Sequence, residues 1–287
     1  MKNKLLGLSV MFIVYSIAIV AGIFIFLALA NSMNHYLAIF IADVVGTVIV
    51  YLFGVLFKTA SMYDPYWSIQ SVIIYSCLLS FYHNWNIGTI IVLIAITLYS
   101  IRLTVNFIIG FDSLKYVDWR YRMLKEKSGK LYQLVNFLGI CMFPTCVVYL
   151  ASVPLFYYAK VGSFSYFNLI GVGIILLGVL LELISDIQMK KFVKIRTSRS
   201  DIIDFGLWKY SRHPNYLGEI IIWFGVALIT LISYPEVWLF ILGAIVNLIM
   251  FLVISIPMEE NHFKDYKPTY EEYKKKTSML LILPRRR

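Results

Sequence analysis

A short polar segment in front of an apolar run holds the residue types that chemistry requires. Residues 206–219 read Gly-Leu-Trp-Lys-Tyr-Ser-Arg-His-Pro-Asn-Tyr-Leu-Gly-Glu, with a histidine, a carboxylate, an amide, two phenols and two cations. The apolar run 220–232 follows at once. Polar residues at the mouth of a membrane helix are costly, so they indicate a functional site. The alternative is an interfacial anchor, in which tryptophan, tyrosine and arginine lie at the level of the lipid headgroups.

The same segment has the features of an anion site. Pro214 suits the first turn of a helix, and that helix would direct its free N–H groups and the positive end of its dipole toward the segment. The surrounding residues supply further positive charge: Lys190, Lys191, Lys194, Arg196, Arg199 and Arg212. We therefore expect a phosphate-bearing ligand. No Gly-x-Gly-x-x-Gly follows a strand pattern, so a Rossmann site is excluded.

Ionisable residues also occur within or beside other apolar runs. Tyr99 and Arg102 are three residues apart, which places them on one helix face, where a nearby cation makes a phenol a better proton donor. The arginine could instead extend to the interface. Asp64 precedes Pro65 at the start of a short apolar segment, and a pocket there would raise its pKa. Asp43 lies inside the second apolar run and either has a function or reaches water at a helix end.

Two carboxylates, Glu182 and Asp186, are four residues apart and share a helix face beside the basic cluster. On a soluble helix this pair would be ordinary. At a membrane mouth it indicates part of a polar site.

Composition defines the class of protein that must position these residues. Hydrophobic residues make up 60% of the chain, charged residues only 15%, and the mean hydropathy is +0.77. These values predict an all-α, polytopic bundle of seven or eight transmembrane helices. The third run is short for a full span. The expected spans are 5–30, 36–57, 67–82, 87–109, 136–159, 167–189, 217–233 and 236–257.

The net charge of +10 could suggest a nucleic-acid-binding protein, but the cations lie between apolar runs and not on a soluble face. Most of them fall within 111–134, within 190–212 and after residue 260. With eight spans and a cytoplasmic N-terminus, all three segments and the C-terminus are predicted to be cytoplasmic. The three cysteines lie in apolar runs without metal-ligand spacing, so neither a disulfide framework nor a metal site is expected.

Several motifs resemble the steroid 5α-reductase superfamily and, in particular, the bacterial membrane proteins of the DUF1295 group. Arg212-His213-Pro214-Asn215-Tyr216-x-Gly218-Glu219 is similar to the signature of membrane sterol reductases. The other motifs that carry the resemblance are Asp64-Pro65-Tyr66-Trp67, Asp118-Trp119-Arg120-Tyr121, Leu181-Glu182 with Asp186, Gly206-Leu207-Trp208, and the ending from Tyr270 to Pro284. The resemblance covers most of the chain after about residue 63.

The resemblance implies cytoplasmic loops that cap a cavity for NADPH, and an apolar substrate that enters from the bilayer of a bacterial inner membrane. The implied reaction is reduction of the C=C bond of a lipid-like enone, with a 3-oxo-Δ4-steroid as the favoured substrate. Tyr99 with Arg102 would contact the substrate carbonyl, and Asp64 would support Tyr99. The implied cofactor-binding residues are Glu182, Asp186, Lys190, Arg196, Arg212, His213, Asn215, Tyr216 and Glu219.

Two other functions remain open at this point. Isoprenylcysteine methyltransferases share the Arg-His-Pro-x-Tyr-x-Gly core, and they would bind S-adenosylmethionine, which has no phosphates. A non-catalytic lipid-binding protein could also keep the fold. We expect no nucleic acid and no obligate protein partner. Residues 1–60 are predicted to form N-terminal transmembrane helices, and residues 61–287 a single reductase-like domain.

Overall fold

The computed structural model describes residues 2–285 as an all-α protein, and no β-strand forms within this range. Arg286 and Arg287 of the basic tail lie outside the described residues. Seven helices of the described chain are long and apolar enough to cross a membrane, so the protein is a multi-pass membrane protein. They are Asn3–Leu29, His35–Leu56, Ile87–Gly110, Trp119–Val161, Asn168–Ile195, Pro214–Ser233 and Pro235–Lys264. The chain forms two compact units, Met1–Phe164 and Ser165–Arg287.

The first unit is built from seven α-helices, of which α1 packs on α2 while α3 packs on both α4 and α7. A π-helical stretch, 136–142, joins α6 to α7 and makes 119–161 nearly continuous. These helices are α1 (Lys2–Leu29), α2 (His35–Leu56), α3 (Tyr66–Tyr82), α4 (Ile87–Gly110), α5 (Trp119–Ser128), α6 (Tyr132–Val135) and α7 (Phe143–Val161).

Buried hydroxyl groups join the helices of the first unit, because apolar packing alone gives little specificity between helices in lipid. Thr145 on α7 contacts Thr47 on α2 at 2.9 Å and the hydroxyl of Tyr63 at 2.6 Å. Ser71 on α3 pairs with Ser152 on α7 at 2.9 Å. These contacts fix the register of α2, α3 and α7 against one another.

The helix α3 traverses the same thickness as α2, although it has only 17 residues. It begins shortly after the end of α2, and at its other end the Tyr82 hydroxyl meets His35, the first residue of α2. The ring of Phe81 also packs on Phe26, near the end of α1. At about 26 Å, α3 is shorter than a typical 30 Å hydrocarbon layer, yet it connects the two ends of its neighbours.

The second unit consists of two long helices in close antiparallel contact, followed by shorter helices. The helices are α8 (Asn168–Ile195), α9 (Pro214–Ser233), α10 (Ile241–Met250), α11 (Ile256–Lys264) and α12 (Tyr270–Lys276). Four glycines allow α8 and α9 to approach. A Cβ on Gly178 would lie 2.6 Å from the carbonyl oxygen of Gly218, and a Cβ on Gly171 would lie 2.9 Å from that of Gly225. Small residues permit such backbone contact between membrane helices.

The predicted spans agree with the observed helices, with one difference that affects the site. The sixth span was expected to end near residue 189, whereas α8 continues to Ile195. Lys190, Lys191 and Lys194 therefore lie on helical turns and not in a loop. The predicted domain boundary at residues 60 and 61 falls inside the first compact unit.

Candidate functional site

Local backbone geometry and one glutamine hold the segment 206–213 against α8. Gly206 has φ +61°, which is unfavourable for residues with a Cβ, and a Cβ here would also meet the side chain of Gln188 at 2.4 Å. The Gln188 amide oxygen accepts the N–H of Leu207 at 2.9 Å. The indole N–H of Trp208 donates to the carbonyl oxygen of Ser185 at 3.1 Å. The Gly-Leu-Trp motif is thus held against the polar end of α8 by these two hydrogen bonds.

Arg212 is buried and binds the C-terminal part of the chain. Its Nε donates to Glu260 at 2.8 Å, and its Nη1 donates to the carbonyl oxygens of Lys274 and Thr277 at 2.9 and 2.8 Å. Its backbone N–H donates to the carbonyl oxygen of Ser278 at 2.9 Å. These contacts join the signature segment to α11 and α12. They also show why the two parts of the resemblance, far apart in sequence, occur together.

His213 is almost fully buried beside the same carboxylate. Its Nε2 lies 3.3 Å from Glu260, and its Nδ1 lies 3.5 Å from Glu259. Burial lowers the pKa of His213, but hydrogen bonds to the two glutamates outweigh burial and raise the pKa above its usual value. The ring of Tyr216 stacks on the imidazole with centroids 5.3 Å apart. Lys274 completes the cluster with an ion pair to Glu260 at 2.8 Å.

The first turns of α9 place an amide and a carboxylate one turn apart. Asn215 and Glu219 lie beside the stripe of α9 that faces α8. The Glu219 carboxylate is buried and accepts the indole N–H of Trp223 at 2.8 Å. The side-chain oxygen of Asn215 is buried and has no hydrogen-bond partner within residues 2–285. A buried acceptor without a partner is costly and is therefore a candidate ligand contact.

The facing part of α8 carries the two predicted carboxylates. Glu182 is 2% exposed, and its Cγ lies 2.5 Å from where a Cβ on Gly218 would stand. Asp186 follows one turn later and Lys190 one turn beyond, both half-buried. Arg196 comes directly after the helix. The second unit therefore brings Glu182 to the start of α9, where Asn215 and Glu219 lie.

In the first unit, Asp64 binds a tyrosine to which the sequence assigned no role. The carboxylate of Asp64 accepts the hydroxyl of Tyr121. The neighbouring Arg120 forms an ion pair with Asp118 at 2.8 Å. The backbone N–H of Asp118 donates to the Ser61 hydroxyl at 3.0 Å. The Asp-Pro-Tyr-Trp and Asp-Trp-Arg-Tyr motifs therefore meet in space.

This environment changes the acidity of Asp64. Desolvation raises its pKa to about 7, while the charge of Arg120 and the hydrogen bond from Tyr121 partly oppose that rise. Asp64 consequently holds or releases a proton near neutral pH. A carboxylate whose pKa is shifted this far by burial and by named charge partners is a functional-site candidate on physical grounds.

The remaining predicted residues of the first unit lie on α4 and α2. Tyr99 is 1% exposed, and the half-buried Arg102 lies one turn away on the same face of α4. The pairing of Tyr99 with Asp64 stays a prediction. Asp43 is buried within α2 and accepts a hydrogen bond from the Gln70 amide on α3. That contact links α2 to α3 inside the helix bundle.

The sequence signals missed three partners that the fold supplies. Tyr121 belongs to a recognised motif, but nothing local connects it to Asp64, 57 residues away. Glu260 could have been noticed as half of an acidic pair at the end of the last apolar run, beside many cations. Gln70 gave no signal, because a lone glutamine in an apolar run is not distinctive.

The fold and the site define an all-α, multi-pass membrane protein with polar clusters at its helix ends. The family model described as "Protein of unknown function (DUF1295)" matches residues 50–277, so the chain belongs to the DUF1295 family. A search of curated proteins and of solved structures found no match.

Proposed function

We propose that this protein is an NADPH-dependent membrane reductase that acts on a carbon–carbon double bond conjugated to a carbonyl in an apolar substrate. A 3-oxo-Δ4-steroid is the substrate class that the resemblance favours. The observation that carries the proposal is the buried oxygen of Asn215, which has no hydrogen-bond partner within residues 2–285 and lies on the first turn of α9, near Glu219 and Glu182. Acceptors in this arrangement suit a ligand that presents amide, amino and hydroxyl donors.

The residues of the second unit fit NADPH in charge and in hydrogen-bonding capacity. The carboxamide, the adenine amino group and the ribose hydroxyls of NADPH all donate hydrogen bonds, which Asn215, Glu219 and Asp186 can accept. Lys190 and Arg196 supply positive charge for phosphates at the end of α8. Arg212 and His213 already bind Glu260, so we assign them the positioning of the segment and not direct phosphate contact.

In this proposal, residues of the first unit polarise the substrate carbonyl and supply a proton. Reduction of an enone adds a hydride to the β-carbon and a proton to the α-carbon, and bound NADPH would supply the hydride. We assign Tyr99, next to Arg102, to donate a hydrogen bond to the carbonyl oxygen as negative charge develops there. Asp64, with a pKa near 7, holds a proton that it can release in this range. A membrane environment excludes water and admits an apolar substrate.

The competing function is methyl transfer from S-adenosylmethionine. That cofactor carries an adenine but no phosphate, so it would leave Lys190 and Arg196 without a role. A non-catalytic lipid-binding protein would have no use for a buried acceptor among carboxylates. These two observations favour the reductase.

The test is ligand-dependent stability of the purified chain in neutral detergent. We expect NADPH to raise the melting temperature in a saturable way, and S-adenosylmethionine to have no effect. Glu219→Gln keeps an oxygen for Trp223 but removes the charge, and Asn215→Ala removes the unpartnered acceptor. Both variants should weaken NADPH binding about 10-fold. Glu236→Gln, at an exposed acid of the same unit, is the matched control.

Stabilisation by S-adenosylmethionine and not by NADPH would show that the reductase proposal is wrong. Equal NADPH affinity in Glu219→Gln, Asn215→Ala and the control would place the cofactor elsewhere.

A further inference from the structure

The first unit contains a polar cavity that none of the residues assigned to the proposed reductase line. It has a volume of about 400 Å³ and lies between the C-terminal end of α2 and the segment from residue 115 to 136. That volume is in the range of small-molecule sites. Four cations line it: Lys58, Lys115, Arg122 and Lys125. No acidic side chain of the described chain is among its lining residues.

The four cations lack the partners that would normally neutralise such a cluster. Within residues 2–285, none of them forms an ion pair with a carboxylate. Lys125 makes only a cation–π contact, with its Nζ 5.6 Å from the ring centroid of Tyr132. Like charges in one cavity repel, and a bound anion would remove that repulsion.

A buried amide in the cavity wall gives independent support. Asn136 is 4% exposed and lines the cavity, and its side-chain oxygen has no hydrogen-bond partner among the described residues. A half-turn of the amide exchanges its oxygen for its NH2 group, so the side chain can present donors to an anion. An unsatisfied polar group at this depth is costly, and a ligand that binds it would relieve that cost.

The position of the cavity indicates where its ligand comes from. Val55, on the last turn of α2, lines the cavity and is 37% exposed on a helix of transmembrane length. Lys58 and Lys115 lie just beyond the ends of α2 and α4. Basic pockets at the ends of membrane helices bind the headgroups of anionic lipids.

We propose that this cavity binds a phosphate group, and that an anionic phospholipid headgroup supplies it. Arg122 can bind two phosphate oxygens at once, while the three lysines contribute point charges. The inference does not depend on the reductase proposal, because none of its residues contributes to the NADPH site assigned above.

The experiment compares two phosphate sources on the full-length, delipidated chain in neutral detergent. Melting temperature is measured against mixed micelles of phosphatidylglycerol, against phosphatidylcholine, and against inorganic pyrophosphate. Phosphatidylglycerol should stabilise the protein saturably, and phosphatidylcholine should not. Lys115→Gln/Arg122→Gln should weaken phosphatidylglycerol binding at least about 10-fold, since each basic residue near an anionic lipid contributes about 5-fold.

Lys127→Gln/Lys130→Gln is the matched control, because these exposed cations lie on the same segment but not on the cavity wall. It should bind as the wild type does. If pyrophosphate stabilises the protein and phosphatidylglycerol does not, the cavity is a phosphate site whose ligand is soluble, and the lipid part of the proposal is wrong. Equal loss in both double variants, unchanged binding in the cavity variant, or no stabilisation by either ligand would overturn the inference.

Discussion

Asp64 lies where a carboxylate is costly to ionise, in a turn packed between Ser61 and the hydroxyl of Tyr121. Its raised pKa means that the folded state keeps a proton that the unfolded state loses. Between about pH 4 and pH 7 the unfolded chain is ionised at this site while the folded chain is not. Folding stability therefore falls as pH rises through this window and then levels off above pH 7.

The substitution Asp64→Asn should remove this pH dependence, because asparagine keeps an oxygen for Tyr121 but does not titrate. The wild type should lose stability on the order of 3 kcal/mol between pH 4.5 and about pH 7.5 from this group, and the variant should not. Melting curves in detergent across that range provide the measurement. Asp112→Asn, at an exposed acid of the same unit, should keep the wild-type profile. A wild-type profile in Asp64→Asn as well would contradict the assignment.

The proposed chemistry requires the Tyr99 hydroxyl to donate a hydrogen bond to the substrate carbonyl. Tyr99→Phe removes one buried hydroxyl and should reduce turnover of an enone by at least about 100-fold, with NADPH affinity nearly unchanged. Single-turnover kinetics and ligand-induced melting shifts separate the two effects. Tyr75→Phe removes another buried hydroxyl of the same unit, which contacts the Thr89 carbonyl oxygen at 3.4 Å, and should retain activity. Equal losses in both variants would mean that the Tyr99 effect is structural.

Part of the candidate site was indicated by residue spacing, and the grouping of its cofactor residues was implied by the family resemblance. Glu182, Asn215 and Glu219 were predicted to act together, and the second unit places Glu182 beside the first turns of α9. The carboxylate that binds Arg212 and the phenol that binds Asp64 were not predicted. Both partners come from distant parts of the chain, and a local pattern carries no information about which helix ends meet.

At the scale of elements, the contact between α8 and α9 depends on the absence of side chains. The backbones approach at Gly171, Gly178, Gly218 and Gly225, and the same contact brings Glu182 beside the start of α9. The apolar runs of the sequence located both helices, but they could not show that glycines seven residues apart on each helix would face one another. That outcome follows from the antiparallel register, which the connecting segment 196–213 sets.

Gly178→Ala should destabilise the second unit by about 2 kcal/mol. The new methyl group would clash with the carbonyl oxygen of Gly218, and relieving that clash requires the two helix backbones to move apart. Gly173→Ala is the matched control on the same helix. Apart from the backbone of α8 itself and the two adjacent residues, no atom of the described chain lies within 4 Å of a Cβ there, so this variant should be neutral or slightly more stable. Thermal unfolding of the two variants in detergent tests the difference. Equal behaviour would show that the close contact does not contribute to stability.

At the scale of the whole molecule, α3 decides the topology. Length and composition alone identify seven spanning helices, and α3 is not among them. Yet α3 runs from the end of α2 back to its start, and residues 59–61 contact residues 116–118 after α4 has returned. The chain therefore crosses the membrane an even number of times between residues 58 and 115. Counting α3 as a crossing gives eight for the described chain, the upper end of the range that the sequence predicts, and we expect the basic segments of the first unit to share one side.

Cysteine labelling tests this topology directly. We expect Lys58→Cys and Lys127→Cys to react with a membrane-impermeant maleimide only after cells are permeabilised, and Ser32→Cys to react in intact cells. All three positions are exposed, so accessibility depends on the side of the membrane. The wild type provides the background from the native cysteines. Labelling of Lys58→Cys and Lys127→Cys from opposite sides would mean that α3 does not cross.

A crossing by α3 would have a consequence for how the protein is made. The helix α3 is short, and it carries Gln70 and several serines. Its transfer from the translocon into lipid as an isolated segment is therefore expected to be unfavourable. The NH2 group of the Gln70 amide donates a hydrogen bond to Asp43, and Asp43 lies on a helix that is synthesised earlier. We therefore expect α3 to enter the bilayer against α2 and not alone, so that a substitution at Asp43 would act first on membrane insertion.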